Sequence, residues 1–163
     1  MVALSVVVLF FASIVPGVEL TVLAVSGAIS MIIVSETNIR GGIVFFAAVT
    51  LLSFLIIPNK SILLIYVFIF GPYSIIKFII EKYANNIILQ YILKLVAFNA
   101  MLGLGFLIFR EAFFAGVELP DFAWYLILMG AQVMFVLYDY ILTLIMRIYV
   151  KVIPESIRGV QAK

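Results

Sequence analysis

The sequence predicts an all-α, polytopic membrane protein: one transmembrane domain of six helices, with both termini on the cytoplasmic side. Three observations predict it. Of 163 residues, 67% are apolar and 11% charged, against about 25% charged in an ordinary soluble domain. The mean hydropathy is +1.35, which is more apolar surface than a soluble domain of this length can hide. Polar or helix-breaking clusters also recur at intervals near the ~20 residues that carry a helix across a bilayer core.

The same composition excludes chemistry. Cys and His are both absent. That removes disulfides, thiolate and imidazole metal sites, and nucleophilic dyads built on either residue. Intramembrane proteolysis would need a Ser–His pair, a His-rich metal motif or two deep Asp residues, and Asp139 is the only deep Asp. There is no Gly-rich phosphate loop with a Lys, so the chain is not expected to hydrolyse ATP. A net charge of +2 gives no reason to expect nucleic acid as a partner. The expectation is a non-enzyme with no metal and no cofactor.

The spans follow in order. The first is 2–15, closed by Pro16 and Gly17. It is short, and a cleaved signal peptide is the competing reading. A signal peptide wants a basic start, and nothing basic precedes Arg40, which favours a retained helix. The second is 18–34, closed by a polar loop over 35–40. The third is 41–57, closed by Pro58, Asn59 and Lys60. The fourth is 61–80, closed by 81–86, with Gly71 and Pro72 near its middle as a helix break of the kind that marks binding sites or as an ordinary kink. The fifth is 87–109. A loop containing Gly116 and Pro120 follows, and the sixth span is 123–150.

This parity places Arg40, Lys77, Lys82, Lys94, Arg147, Lys151, Arg158 and Lys163 on the side of the termini, and only Lys60 and Arg110 on the other. Basic residues stay cytoplasmic, so both ends are expected inside. The expected location is a bacterial cytoplasmic membrane, with the basic residues touching anionic lipids. Trp124 and Tyr125 sit where an outer aromatic belt would.

Polar side chains within spans are costly and mark candidate sites. Counted inward from the loop that joins them, spans five and six carry matched layers: Asn99 with Gln132, Lys94 with Asp139, and Gln90 with Thr143. Tyr125, Gln132 and Asp139 recur every seven residues, with Thr143 four further on, so they share a helical face. Lys94 and Asp139 form a candidate ion pair, and Asn99 and Gln132 a candidate amide pair. Helix–helix glue and function are both open readings for these layers. The small residues Ala24, Ser26, Ala28 and Ser30 in span two, and Ala100, Gly103 and Gly105 in span five, predict close internal packing.

Six short spans, both ends inside and no nucleotide motif resemble the S component of an energy-coupling-factor transporter. The local likeness lies in Glu36, Thr37, Asn38, Ile39, Arg40, Gly41 and Gly42 and the apolar run through Leu55. It is similar to the family's second cytoplasmic turn, where a basic residue and glycines open the third helix. The resemblance implies capture of a micronutrient on the outer face, powered by two separate ATPases and a transmembrane coupling subunit. It implies a small-molecule site near Asn99 and Gln132, with Tyr125, Trp124, Arg110 and Glu118 as further contacts. Two alternatives stand beside it. One is a membrane scaffold subunit of a cell-envelope or cell-shape assembly. The other is a self-contained small carrier or lipid-binding protein.

Overall fold

The computed structural model describes residues 1–15, 17–114 and 121–152, apart from the side chains of 106, 108–114, 121–124 and 127. Among the described residues every regular element is helical. In order they are α1 (Val2–Ile14), α2 (Glu19–Ile56), α3 (Lys60–Ile65), a π turn (Tyr66–Phe70), α4 (Gly71–Tyr83), α5 (Ile87–Phe114) and α6 (Asp121–Val152). Among the described residues four helical runs are long and apolar enough to cross a membrane: Glu19–Ile56, Lys60–Tyr83, Ile87–Gly105 and Leu128–Val152. Helix α1 is apolar and shorter, at 13 residues.

The largest difference from the sequence expectation is at 35–40. The polar run expected there as a loop is helical on both sides of one residue. Asn38 alone leaves the helix, at φ 74° and ψ 176°. Hydroxyls make this continuity feasible. Ser35 Oγ donates to Met31 O (2.9 Å) and Thr37 Oγ1 to Ile33 O (2.7 Å), so the polar side chains bond back into their own helix. Two arms, 19–37 and 39–56, therefore meet at one corner. A Cβ on Gly42 would collide with the Val34 side chain across that corner. Only a glycine lets the arms approach so closely there.

The helix break expected at Gly71 and Pro72 is not a break. Pro72 has no N–H, and its ring would press on the carbonyl four residues back. The chain widens into the π turn just before it, where the Gly71 N–H bonds to Tyr66 O five residues back. Pro72 then occupies the first turn of α4 and the helix runs on. Helix α5 also extends past 109 to Phe114, and α6 begins at Asp121 rather than 123.

Asparagines and a lysine close the connections. Asn59 Oδ1 accepts from Ser61 N (3.1 Å), and Asn86 Oδ1 accepts from Ile88 N (2.9 Å), satisfying donors at the starts of α3 and α5. Lys60 Nζ donates to Phe54 O (2.5 Å) and Ile57 O (2.9 Å), the carbonyls at the end of α2.

One apolar core joins the elements. Leu9 of α1, Leu23 and Val49 of α2, Ile62 of α3, Tyr73 of α4 and Leu142 of α6 are fully buried in it. Outward faces are equally apolar: Val44, Leu51 and Leu55 on α2, Ile88, Ile92 and Val96 on α5, Met129, Val133 and Tyr140 on α6. A bundle apolar inside and out suits a hydrocarbon surround, in which α-helices satisfy every backbone group internally. Helices α5 and α6 run antiparallel: Lys94 meets Asp139, Phe98 stacks on Phe135, and Asn99 meets Gln132.

Candidate functional site

Helix α4 builds the site. Tyr73, Lys77 and Glu81 follow at steps of four residues, so they stand on one face. That face is turned inward, toward Lys94 of α5 and Asp139 and Thr143 of α6.

The Lys77 Nζ lies 2.6 Å from Asp139 Oδ1, 2.8 Å from Glu81 Oε1 and 2.8 Å from Thr143 Oγ1. Its three donors thus have three side-chain acceptors. The Lys94 Nζ lies 2.6 Å from the same Glu81 oxygen and 3.2 Å from Asp139 Oδ2. It also sits 5.6 Å from the Tyr91 ring centre. The Tyr73 hydroxyl donates to Asp139 Oδ1 at 2.6 Å. Thr143 Oγ1 donates in turn to the Asp139 backbone carbonyl (2.9 Å).

Two ammonium groups and two carboxylates thus form a closed ring in which each cation touches both anions. The formal charges cancel. The side chains of Lys77, Lys94 and Asp139 are 0%, 5% and 6% exposed, while Glu81 is 33% exposed at the rim. Burial strips hydration from these ions, and the low dielectric strengthens their mutual attraction. Aromatic rings wall the ring of charges: Phe135 stands edge-on to Tyr73 with centres 5.3 Å apart and stacks on Phe98 at 4.3 Å.

The arrangement can exchange protons among adjacent groups, or change its pairing when one charge changes. It is a poor metal centre. Among the described residues no three His, Cys, Asp or Glu side chains come together.

The amide pair lies elsewhere. Gln132 Nε2 donates to Asn99 Oδ1 at 2.7 Å, and Asn99 Nδ2 donates to Leu95 O at 2.8 Å. Asn99 is exposed on the bundle surface, so the two amides satisfy each other there and do not line an interior cleft. Tyr125 is exposed and apart from them. The side chains of Arg110 and Trp124, and all of Glu118, lie outside the described residues. Gln90 and Thr143, at matched depth in the sequence, do not pair. Gln90 Nε2 donates to Ala84 O (2.7 Å), and Thr143 accepts from Lys77.

The sequence placed Lys77 among the basic residues that set topology and Glu81 in a connection. The signal that would have found them is the four-residue step from 73 to 77 to 81 along an apolar run. No family model, curated protein or solved structure matches the chain.

Proposed function

We propose that this chain is a non-enzymatic membrane protein of a transport system, crossing the bilayer six times with both termini inside, and that the charge ring is its working part. The six crossings would be α1, the two arms of α2, Lys60–Tyr83, α5 and α6. The single observation that carries the reading is the ring itself. Buried ion pairs are weak stabilisers, and well-packed apolar replacements are often as stable or more so. Four ionisable groups held in an apolar bundle therefore point to work that needs charge.

In the capture form of this reading the chain binds a micronutrient from outside, and separate ATPases act through a transmembrane coupling subunit. The resemblance at 36–55 supports that form. In the second form the chain is a self-contained carrier. The second carboxylate of the ring, Glu81 at its rim, favours it, because it gives Asp139 a partner that can take over its charge.

Affinity purification of the tagged chain from its native membrane in mild detergent separates these forms. Co-purifying ATPases and a coupling subunit support capture. A chain recovered alone supports the carrier. Cell-envelope assembly proteins without an ATPase would overturn transport in favour of a scaffold.

A further inference from the structure

The two lysines of the ring are held differently. Lys77 Nζ has Asp139 Oδ1, Glu81 Oε1 and Thr143 Oγ1 within 2.8 Å, and the Asp139 backbone carbonyl at 3.4 Å. Its side chain is fully buried and every donor is engaged. Lys94 Nζ has two oxygens, Glu81 Oε1 at 2.6 Å and Asp139 Oδ2 at 3.2 Å, and the Tyr91 ring centre at 5.6 Å. Two of these three partners open outward. Glu81 stands at the exposed rim, and Tyr91 is 57% exposed. Lys77 is therefore enclosed, while Lys94 closes the ring from its open side.

Two carboxylates on different helices and an aromatic ring make a receptor for an ammonium group. Carboxylates supply charge-assisted acceptors, and ring faces attract cations within about 6 Å. The head of Lys94 fills that receptor. Lys94 lies seven residues past Ile87, the first residue of α5, which is about 10 Å along the helix. From there a flexible four-carbon stem can lift its head toward the membrane surface. Withdrawn, it leaves Lys77 alone against Glu81 and Asp139, one positive charge against two negative. A second cation is then needed to balance charge in an apolar surround. A bare hard metal ion fits poorly, because it wants about six or more oxygens. An ammonium group needs only the two oxygens and the ring that Lys94 uses.

We infer that the rim side of the ring is a binding site for a primary ammonium group on an unbranched apolar chain, and that Lys94 is a tethered stand-in which this ligand displaces. The inference rests on the reading that the ring is the working part, and it names the class of molecule that part handles. The ligand's ammonium replaces that of Lys94 between Glu81 and Asp139, so the ring keeps two cations and two anions. Its apolar chain takes the course that the Lys94 stem vacates. The displaced Lys94 carries its own charge to the interface, where water and anionic headgroups receive it. No proton or electron changes hands.

The test uses the purified full chain in phospholipid nanodiscs, titrated by calorimetry with n-butylammonium chloride at constant ionic strength. The wild type should bind n-butylammonium saturably. Tetramethylammonium, which has no N–H, and 1-butanol, which has no charge, should not bind. Lys94→Met removes the tethered ammonium and should bind n-butylammonium at least about tenfold tighter, because a tethered competitor acts at millimolar or higher effective concentration. Glu81→Gln should weaken binding about tenfold or more, as loss of a charge-assisted hydrogen bond does. Lys82→Met, which removes a positive charge outside the ring, should match wild type. Should Lys94→Met fail to fold, Glu81→Gln asks the same question with both lysines in place. No saturable binding by the wild type, equal binding of tetramethylammonium, or wild-type affinity in Glu81→Gln or Lys94→Met overturns the site. Loss of the site alongside recovered ATPases would leave the transport reading standing. Saturable amine binding by a chain that purifies with cell-envelope proteins would keep the site and remove transport.

Discussion

Lys77 is the residue whose position matters most. It is fully buried, and its ammonium touches Asp139, Glu81 and Thr143. Removing either partner of a buried pair strands the other charge, at about 3–5 kcal/mol. Asp139→Ala should therefore lower the unfolding free energy in detergent by about that amount. Pairing it with Lys77→Met leaves Lys94 and Glu81 balanced, and should recover most of the loss in the same titration. Lys82→Met, on an exposed residue of the same helix, should change stability by less than about 0.5 kcal/mol. The amide pair makes a separate prediction. In the capture form of the function, Asn99→Leu with Gln132→Leu should abolish ligand capture while helicity by circular dichroism stays intact.

At the scale of elements, two tight approaches shape the bundle. Asn38 turns α2 with a positive φ and an extended ψ, a conformation that side chains with a Cβ adopt only under strain. Asn38→Gly should hold or raise the melting temperature, and Asn38→Val should cost about 1–3 kcal/mol. The second approach is Gly27 against Tyr138, which sets how closely α2 meets α6. Gly27→Ala should destabilise by about 1–3 kcal/mol through overpacking. Adding Tyr138→Phe removes the nearest colliding atom and should restore part of that loss in a double-mutant cycle. The π turn belongs to this scale too. Pro72 is visible in the sequence as a disruption, yet a disruption can be met by opening the helix or by widening it. Which one occurs depends on neighbours, and here the Phe46 ring lies against Gly71 and leaves no room for a side chain there.

At the scale of the whole molecule, orientation is the property to test. The chain has no Cys, so single cysteines report location cleanly. Pro58→Cys and Asn85→Cys both replace exposed connection residues. With six spans and both ends inside, an impermeant thiol reagent applied to intact cells should label position 58 and spare position 85 until the cells are opened. The reverse pattern would invert the topology, and labelling of both would change the span count.

Composition and spacing determine, by themselves, that the chain is helical with helices apolar and long enough to cross a membrane, that chemistry resting on Cys or His side chains has no residue to carry it, and how far along its helix each polar residue lies. Depth is legible because a helix rises by a fixed step and one loop sets the register of its two neighbours. Lys94 and Asp139 can be placed at one level in this way. Azimuth is not legible in the same way. Whether Lys77 points to solvent, lipid or Asp139 depends on the rotation of α4 against α2, α5 and α6, and nearly every position on an apolar helix offers the same hydropathy. The corner at Asn38 was hidden for a related reason, since Ser35 and Thr37 look like loop residues until their hydroxyls are seen bonding into the helix. Only tertiary packing decided that Tyr73, Lys77 and Glu81 face inward, that the Asn99–Gln132 pair foreseen from spacing lies at the surface, and that four charges share one ring. Those outcomes depend on distances between helices that meet only when the bundle closes.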